Sequence, residues 1–211
     1  IRSLLFTQGI QVGKLERLPE MLARLRTGDG KALPAMLLAR LRREWDRLQF
    51  ASEQVKRLDA DRRQLLRQAT DAGTRCAAEL IKLRGIGIDG SWTLAMEFFS
   101  WRKFQNGRQI GGLSGLASTP YQSGDDARDL GISKAGNRAV RRIAIELAWS
   151  WRRYQPESEL TRWYERKFGS GKSRLRRVGI VALARKLLIA LWRYLETGVP
   201  PAGAVLKTSA I

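Results

Sequence analysis

Residues 137–153 read NRAVRRIAIELAWSWRR, and this stretch decides the class of fold. Val140, Ile143, Ala144, Leu147, Ala148 and Trp151 recur at helical spacing, so one face of a helix is apolar and requires a core. Arg138, Arg141, Arg142, Arg152 and Arg153 lie on the other face. Asn137 follows Gly136 and suits an N-cap, because its side-chain oxygen can accept from the free amides of the first turn. Downstream, 157–168 reads as a shorter helix ended by GSGK, and 173–196 as a long, nearly all-apolar helix expected to be buried. TGVPPAG stops it. Upstream, nothing between Pro34 and Gly73 breaks a helix. Leu41, Leu48 and Val55 recur every seven residues with Ala51, Leu58 and Leu65 interleaved, interrupted at Glu44 and Arg62. Such a seam suits a coiled coil with a partner, or one long helix packed on its own domain.

The expected fold is therefore all-α: a long coiled-coil helix followed by a compact helical domain. Residues 1–32 form a connector with an amphipathic piece from Lys14 to Arg26, where Leu15, Leu18, Leu22 and Leu25 share a face. Residues 33–79 are the coil, 80–197 the helical domain, and 198–211 a tail. No convincing alternating strand is read beyond residue 80.

The 211 residues include 39 Lys and Arg against 20 Asp and Glu, a formal charge of +19. An imbalance of this size points to a polyanionic partner, most commonly nucleic acid. Residues 1–79 carry 16 basic and 10 acidic side chains and 80–211 carry 23 and 10, so the polyanion site is expected in the C-terminal part. There is no histidine, which removes a His general base and His-ligated zinc. The single Cys76 excludes an internal disulfide and fits a reducing compartment. No metal site is expected within this chain. The best candidate for a membrane span, 178–192, is interrupted by Arg185 and Lys186, and the first ten residues do not read as a signal peptide.

Three motifs could carry chemistry. LRGIGIDGSWTLAMEF, 83–98, places Gly85 and Gly87 between two helices. This is the pattern of a helix-hairpin-helix, whose amides approach phosphate without side-chain obstruction, or of a tight interhelical turn. FQNGRQIGGLSGLASTP, 104–120, opens a small-residue helix at Arg108 and Gln109 that permits close packing. TPYQSGDDARDLGISKAGN, 119–137, suggests neither a buried helix nor a strand and is expected to be a loop. Its Ser123 is either a solvated loop serine or a nucleophile, with Arg108, Arg128, Lys134 and Arg138 neutralising a phosphodiester. Asp125, Asp126 and Asp129 are weak bases if solvated. GISKAGN is either a phosphate-contacting turn, in which Lys134, Asn137, Arg138, Arg141 and Arg142 face nucleic acid, or a helix cap with incidental charge.

In this order the three motifs resemble the C-terminal domain of the DEDD transposases of the insertion-sequence 110 family, RNA-guided serine recombinases. The heptad segment resembles that family's coiled coil. The resemblance implies an insertion-sequence transposase that binds DNA and attacks a DNA phosphate through Ser123, with a guide (bridge) RNA and homo-oligomers joined by the coil. It implies an N-terminal RuvC-like domain whose carboxylates hold Mg²⁺, and a cytoplasmic, DNA-associated place in a prokaryote. That carboxylate domain is not read in these residues, so the chain is expected to be the C-terminal portion of a transposase that binds but does not cut alone. A non-catalytic nucleic-acid-binding module, or an inactive remnant, is the alternative.

Overall fold

The computed structural model describes residues 1–123 and 126–208, and for 120–123 and 126–130 it describes the backbone alone. The chain divides into two compact units, Ile1–Ala60 and Asp61–Ile211. Apart from one small hairpin, the described elements are helices.

In the first unit, α1 (Arg2–Phe6) and α2 (Leu18–Leu22) pack with the start of α3 (Ala35–Gln68). Leu5, Leu18, Leu22, Leu33 and Leu41 make the core, with Trp45 at its border. The amphipathic piece expected over Lys14–Arg26 is helical only from Leu18. Pro19 fits the first turn of a helix and no later position, so it sets the start there. The rest of that piece is irregular, tied down by Arg2 donating to the Gly13 carbonyl at 2.7 Å and Gly28 N–H donating to the Gln8 carbonyl at 2.8 Å.

The long helix is present as α3, and Ala69 ends it at φ 44°. Its heptad residues divide. Leu41 is buried in the first unit, whereas Leu48, Val55, Leu58 and Leu65 are exposed, Val55 by 57%.

In the second unit, α4 (Ala72–Ile81) starts at a capping box: Thr74 N–H donates to Asp71 Oδ1 at 2.9 Å, and Asp71 N–H to Thr74 Oγ1 at 3.1 Å. α5 (Ile88–Leu94) runs into a π-helical turn at Ala95–Phe99. Then come α6 (Gly107–Ser114), β1 (Ser118–Ser123), β2 (Asp126–Ile132), α7 (Arg138–Tyr154), α8 (Glu159–Tyr164) with a π turn at Glu165–Gly169, and α9 (Ser173–Thr197). α7 and α9 form the centre. The apolar stripe of α7 is buried as its spacing predicts, from Val140 to Trp151. Trp151 is fully buried and donates its indole N–H to Ser158 Oγ at 2.8 Å. α9 buries Leu183, Ala184, Leu187, Leu188 and Leu191, but the helix expected to be buried throughout leaves Val178 54% exposed.

Two further features depart from expectation. Residues 119–123 and 126–132, read as a loop, form most of two antiparallel strands in which Tyr121 pairs with Arg128 and Ser123 with Asp126. Pro120 is tolerated because both strands of a two-stranded sheet are edges. Residues 198–208, read as a tail, return to the start of the domain. Lys207 N–H donates to the Lys82 carbonyl at 2.8 Å and Arg84 N–H to the Val205 carbonyl at 3.0 Å. The Gln155 amide bridges both sides at 2.8 Å, donating to Arg84 and Val205 carbonyls and accepting from Val205 N–H. These are backbone interactions that apolar spacing cannot announce.

Candidate nucleic-acid interface

The Gly85–Gly87 turn joins α4 to α5. Gly85 has φ +91°, and a side chain there would stand 3.3 Å from Tyr154 Cβ and 3.4 Å from the Ser150 carbonyl oxygen. Ser150 Oγ donates to the Gly85 carbonyl at 2.6 Å, so α7 holds the turn from behind. Lys207 Nζ secures its middle by donating to the Ile86 carbonyl at 2.7 Å, and burial lowers that ammonium's pKa. Gly87 caps α5, is exposed, and has open space where a side chain would stand. Asp89 in the first turn of α5 pairs with Arg62 at 2.8 Å, and Arg62 also lies 5.7 Å from the ring centre of Trp92.

The second assembly is a knot between the C-terminal end of α6 and the N-terminal end of α7. Gly115 caps α6, and the incoming strand is fixed by Ser133 N–H donating to Ala117 O at 2.8 Å and Asn137 N–H to Leu113 O at 2.9 Å. Gly136 is squeezed so tightly that a Cβ would collide with the Leu113 carbonyl and the Gly115 nitrogen. Lys134 adopts φ +56°, and its carbonyl accepts from the Arg141 guanidinium at 3.0 Å. Arg141 also reaches the Ser114 carbonyl at 3.4 Å, where a cation meets the partial negative charge of a helix end. Asn137 caps α7 by accepting from Ala139 and Val140 N–H at 2.9 and 3.1 Å, and its amide donates to Glu97 Oε2 at 3.1 Å.

Thus Lys134, Asn137 and Arg141 are brought together, and the last two are engaged within the protein. Arg138 projects from the knot, exposed and without an acidic partner among the described residues. Arg142 is exposed and pairs with Glu146 at 3.3 Å, a contact worth little in solvent. Arg108 stands at the other end of α6, about 9 Å along its axis from the knot at 1.5 Å per residue. Arg152 is spent on Glu165 at 2.6 Å. Ser123 ends β1 opposite Asp126, and its side chain and that of Arg128 lie outside the described part, as does Asp125 altogether.

The hairpin did have a sequence signal. Gly124-Asp125 is a two-residue pair of the kind that joins hairpin strands. The basic residues Arg174, Arg185 and Lys186 on α9 were not anticipated as a site. Among the described residues, no group of three or more Asp, Glu, Cys or His could hold a metal. No helix of the described part is long and apolar enough to cross a membrane.

The Gly85–Gly87 turn, the α6–α7 joint and the two hairpin strands fall within a segment that matches a family model. Residues 77–162 match the Transposase IS116/IS110/IS902 family. Over 99% of its length the chain is 42% identical to "Putative transposase y4rJ" of Sinorhizobium fredii, covering 55% of that protein. It is 26% identical over 162 residues, 76% of this chain and 46% of the relative, to the "Transposase for insertion sequence element IS1328" of Yersinia enterocolitica. The chain is thus similar to proteins named as transposases, and its 77–162 segment to the IS116/IS110/IS902 family. The chain spans about half the length of these two relatives.

Proposed function

We propose that this chain is the DNA-binding, serine-bearing part of a transposase that cleaves and rejoins DNA strands through Ser123. The observation that carries the reading is placement: the family match over 77–162 encloses the hairpin whose first strand ends at Ser123. The hairpin rises from between α6 and α7, whose exposed cations Arg108 and Arg138 would neutralise a phosphodiester. In the step proposed, Ser123 Oγ bonds to phosphorus and loses its proton, while a sugar oxygen leaves and is protonated. The Gly85–Gly87 turn contributes amides to a neighbouring phosphate, in the manner of a helix-hairpin-helix. Among the described residues no group of three or more acidic side chains could hold Mg²⁺. We assign it to a RuvC-like carboxylate domain in the part of the relatives that this chain does not span. The exposed stripe of Leu48, Val55, Leu58 and Leu65 on α3 supports a coiled coil with a second copy. A guide RNA is the second polyanion that the charge would accommodate.

The test is a protein–DNA adduct that survives denaturation. The chain is joined to the carboxylate-bearing domain and incubated with Mg²⁺, the element's RNA and its end DNA. An adduct with Ser123 and none with Ser123→Ala supports the reading. Retention of the adduct in Ser123→Ala overturns the nucleophile. DNA binding without any adduct favours the binding-module alternative.

A further inference from the structure

α9 turns its second apolar face, Val178, Val181, Ala182 and Ile189, onto an open groove of about 990 Å³. Leu116, Ile132 and Trp163 also line it. Three cations stand around it, Arg174, Arg185 and Lys186, none with an acidic partner among the described residues. Two of them are held in place without being neutralised. Lys186 Nζ lies 4.7 Å from the ring centre of Trp163, and the Arg185 guanidinium lies against Gly111 of α6. An apolar slot edged by unpaired cations suits a ligand with a flat, weakly polar body and an attached negative charge. A nucleotide satisfies both halves of the groove.

The groove also lies at the foot of the hairpin, where Ser118 pairs with Ile132 and both line it. Ser123 is five residues up β1 from Ser118, about 17 Å at 3.3–3.4 Å per residue. That spans about five base steps at 3.4 Å each along one strand. We propose that this groove seats one unpaired nucleotide of the DNA strand presented to Ser123, with the base against Val178, Val181 and Ile189 and a phosphate on Arg174 and Arg185. An extrahelical base held this far from the hairpin end would set the register of the strand there. The inference rests on the DNA-binding reading above.

Two DNA duplexes identical except for one unpaired nucleotide distinguish the possibilities, with binding of the 211-residue chain followed by fluorescence anisotropy at one salt concentration. The expected result is roughly tenfold tighter binding of the bulged duplex. Ala182→Leu fills the groove without altering charge and should bring the ratio to about one while leaving affinity for the paired duplex unchanged. Val178→Glu, at an exposed position, should lower the ratio several-fold and guards against a folding failure in the first variant. A wild-type ratio of one, or a ratio that survives both substitutions, overturns the groove assignment and leaves DNA binding standing. A preference shown only with bulged RNA overturns the assignment to DNA. Failure to bind either duplex overturns the DNA-binding reading itself.

Discussion

Arg138 and Arg141 stand three residues apart on α7, and the molecule uses them in opposite ways. Arg141 turns back onto the carbonyls of Ser114 and Lys134, closing the joint between α6 and α7. Arg138, on the next turn of surface, is exposed with no acidic partner among the described residues. The same contrast divides Arg152, spent on Glu165, from Arg108, which is exposed at the far end of α6. A surplus of positive charge therefore does not by itself mark a nucleic-acid surface. What separates the two kinds of cation is whether a helix C-terminus or a carboxylate lies within reach.

The contrast breaks most sharply at Gly136, where α7 leaves α6. Gly136→Val should destabilise the protein by about 3 kcal/mol or more, because the new side chain collides with backbone that cannot retreat. Chemical denaturation would read this as a lower midpoint. Arg141→Ala should cost about 1–3 kcal/mol through carbonyls left without a donor. Its effect on the salt dependence of DNA binding should be small. Arg138→Ala should do the reverse, leaving stability within about 0.5 kcal/mol. A titration of DNA affinity against salt should then lose about one unit of slope. The smallest effect concerns Cys76, whose thiol is pushed up to about 12, first by burial and then by Glu79. Since the thiolate is the reactive form, alkylation at pH 8 should be negligible in the folded protein. It should become fast only in denaturant, which makes it a label for unfolding of the α4 region.

The helical framework was legible because spacing records it. The stripe from Val140 to Trp151 predicted both α7 and its buried face, and Asn137 its cap. The uninterrupted run after Pro34 predicted α3. The hairpin was not read, because Pro120 and Gly131 disturb the strands and no alternating apolar pattern marks a two-stranded sheet. Only Gly124-Asp125 hinted at it. The return of residues 198–208 was equally silent, since it depends on Gln155 and on main-chain groups of Lys82, Arg84 and Val205. For the site, the sequence names basic residues along the chain. It could not separate Arg141 from Arg138, because that depends on where the last carbonyls of α6 fall. The groove on α9 was hidden for the opposite reason: an apolar helix reads as buried on all sides, whereas one side of this one is open.

Under the proposed function, one atom of the hairpin becomes joined to DNA. The most direct measurement is peptide mapping by mass spectrometry of the adduct formed by the chain together with the carboxylate-bearing domain. The predicted result is a nucleotide carried on Ser123. A nucleotide on Tyr121 two residues earlier, on Ser118 or on Ser133 would contradict it.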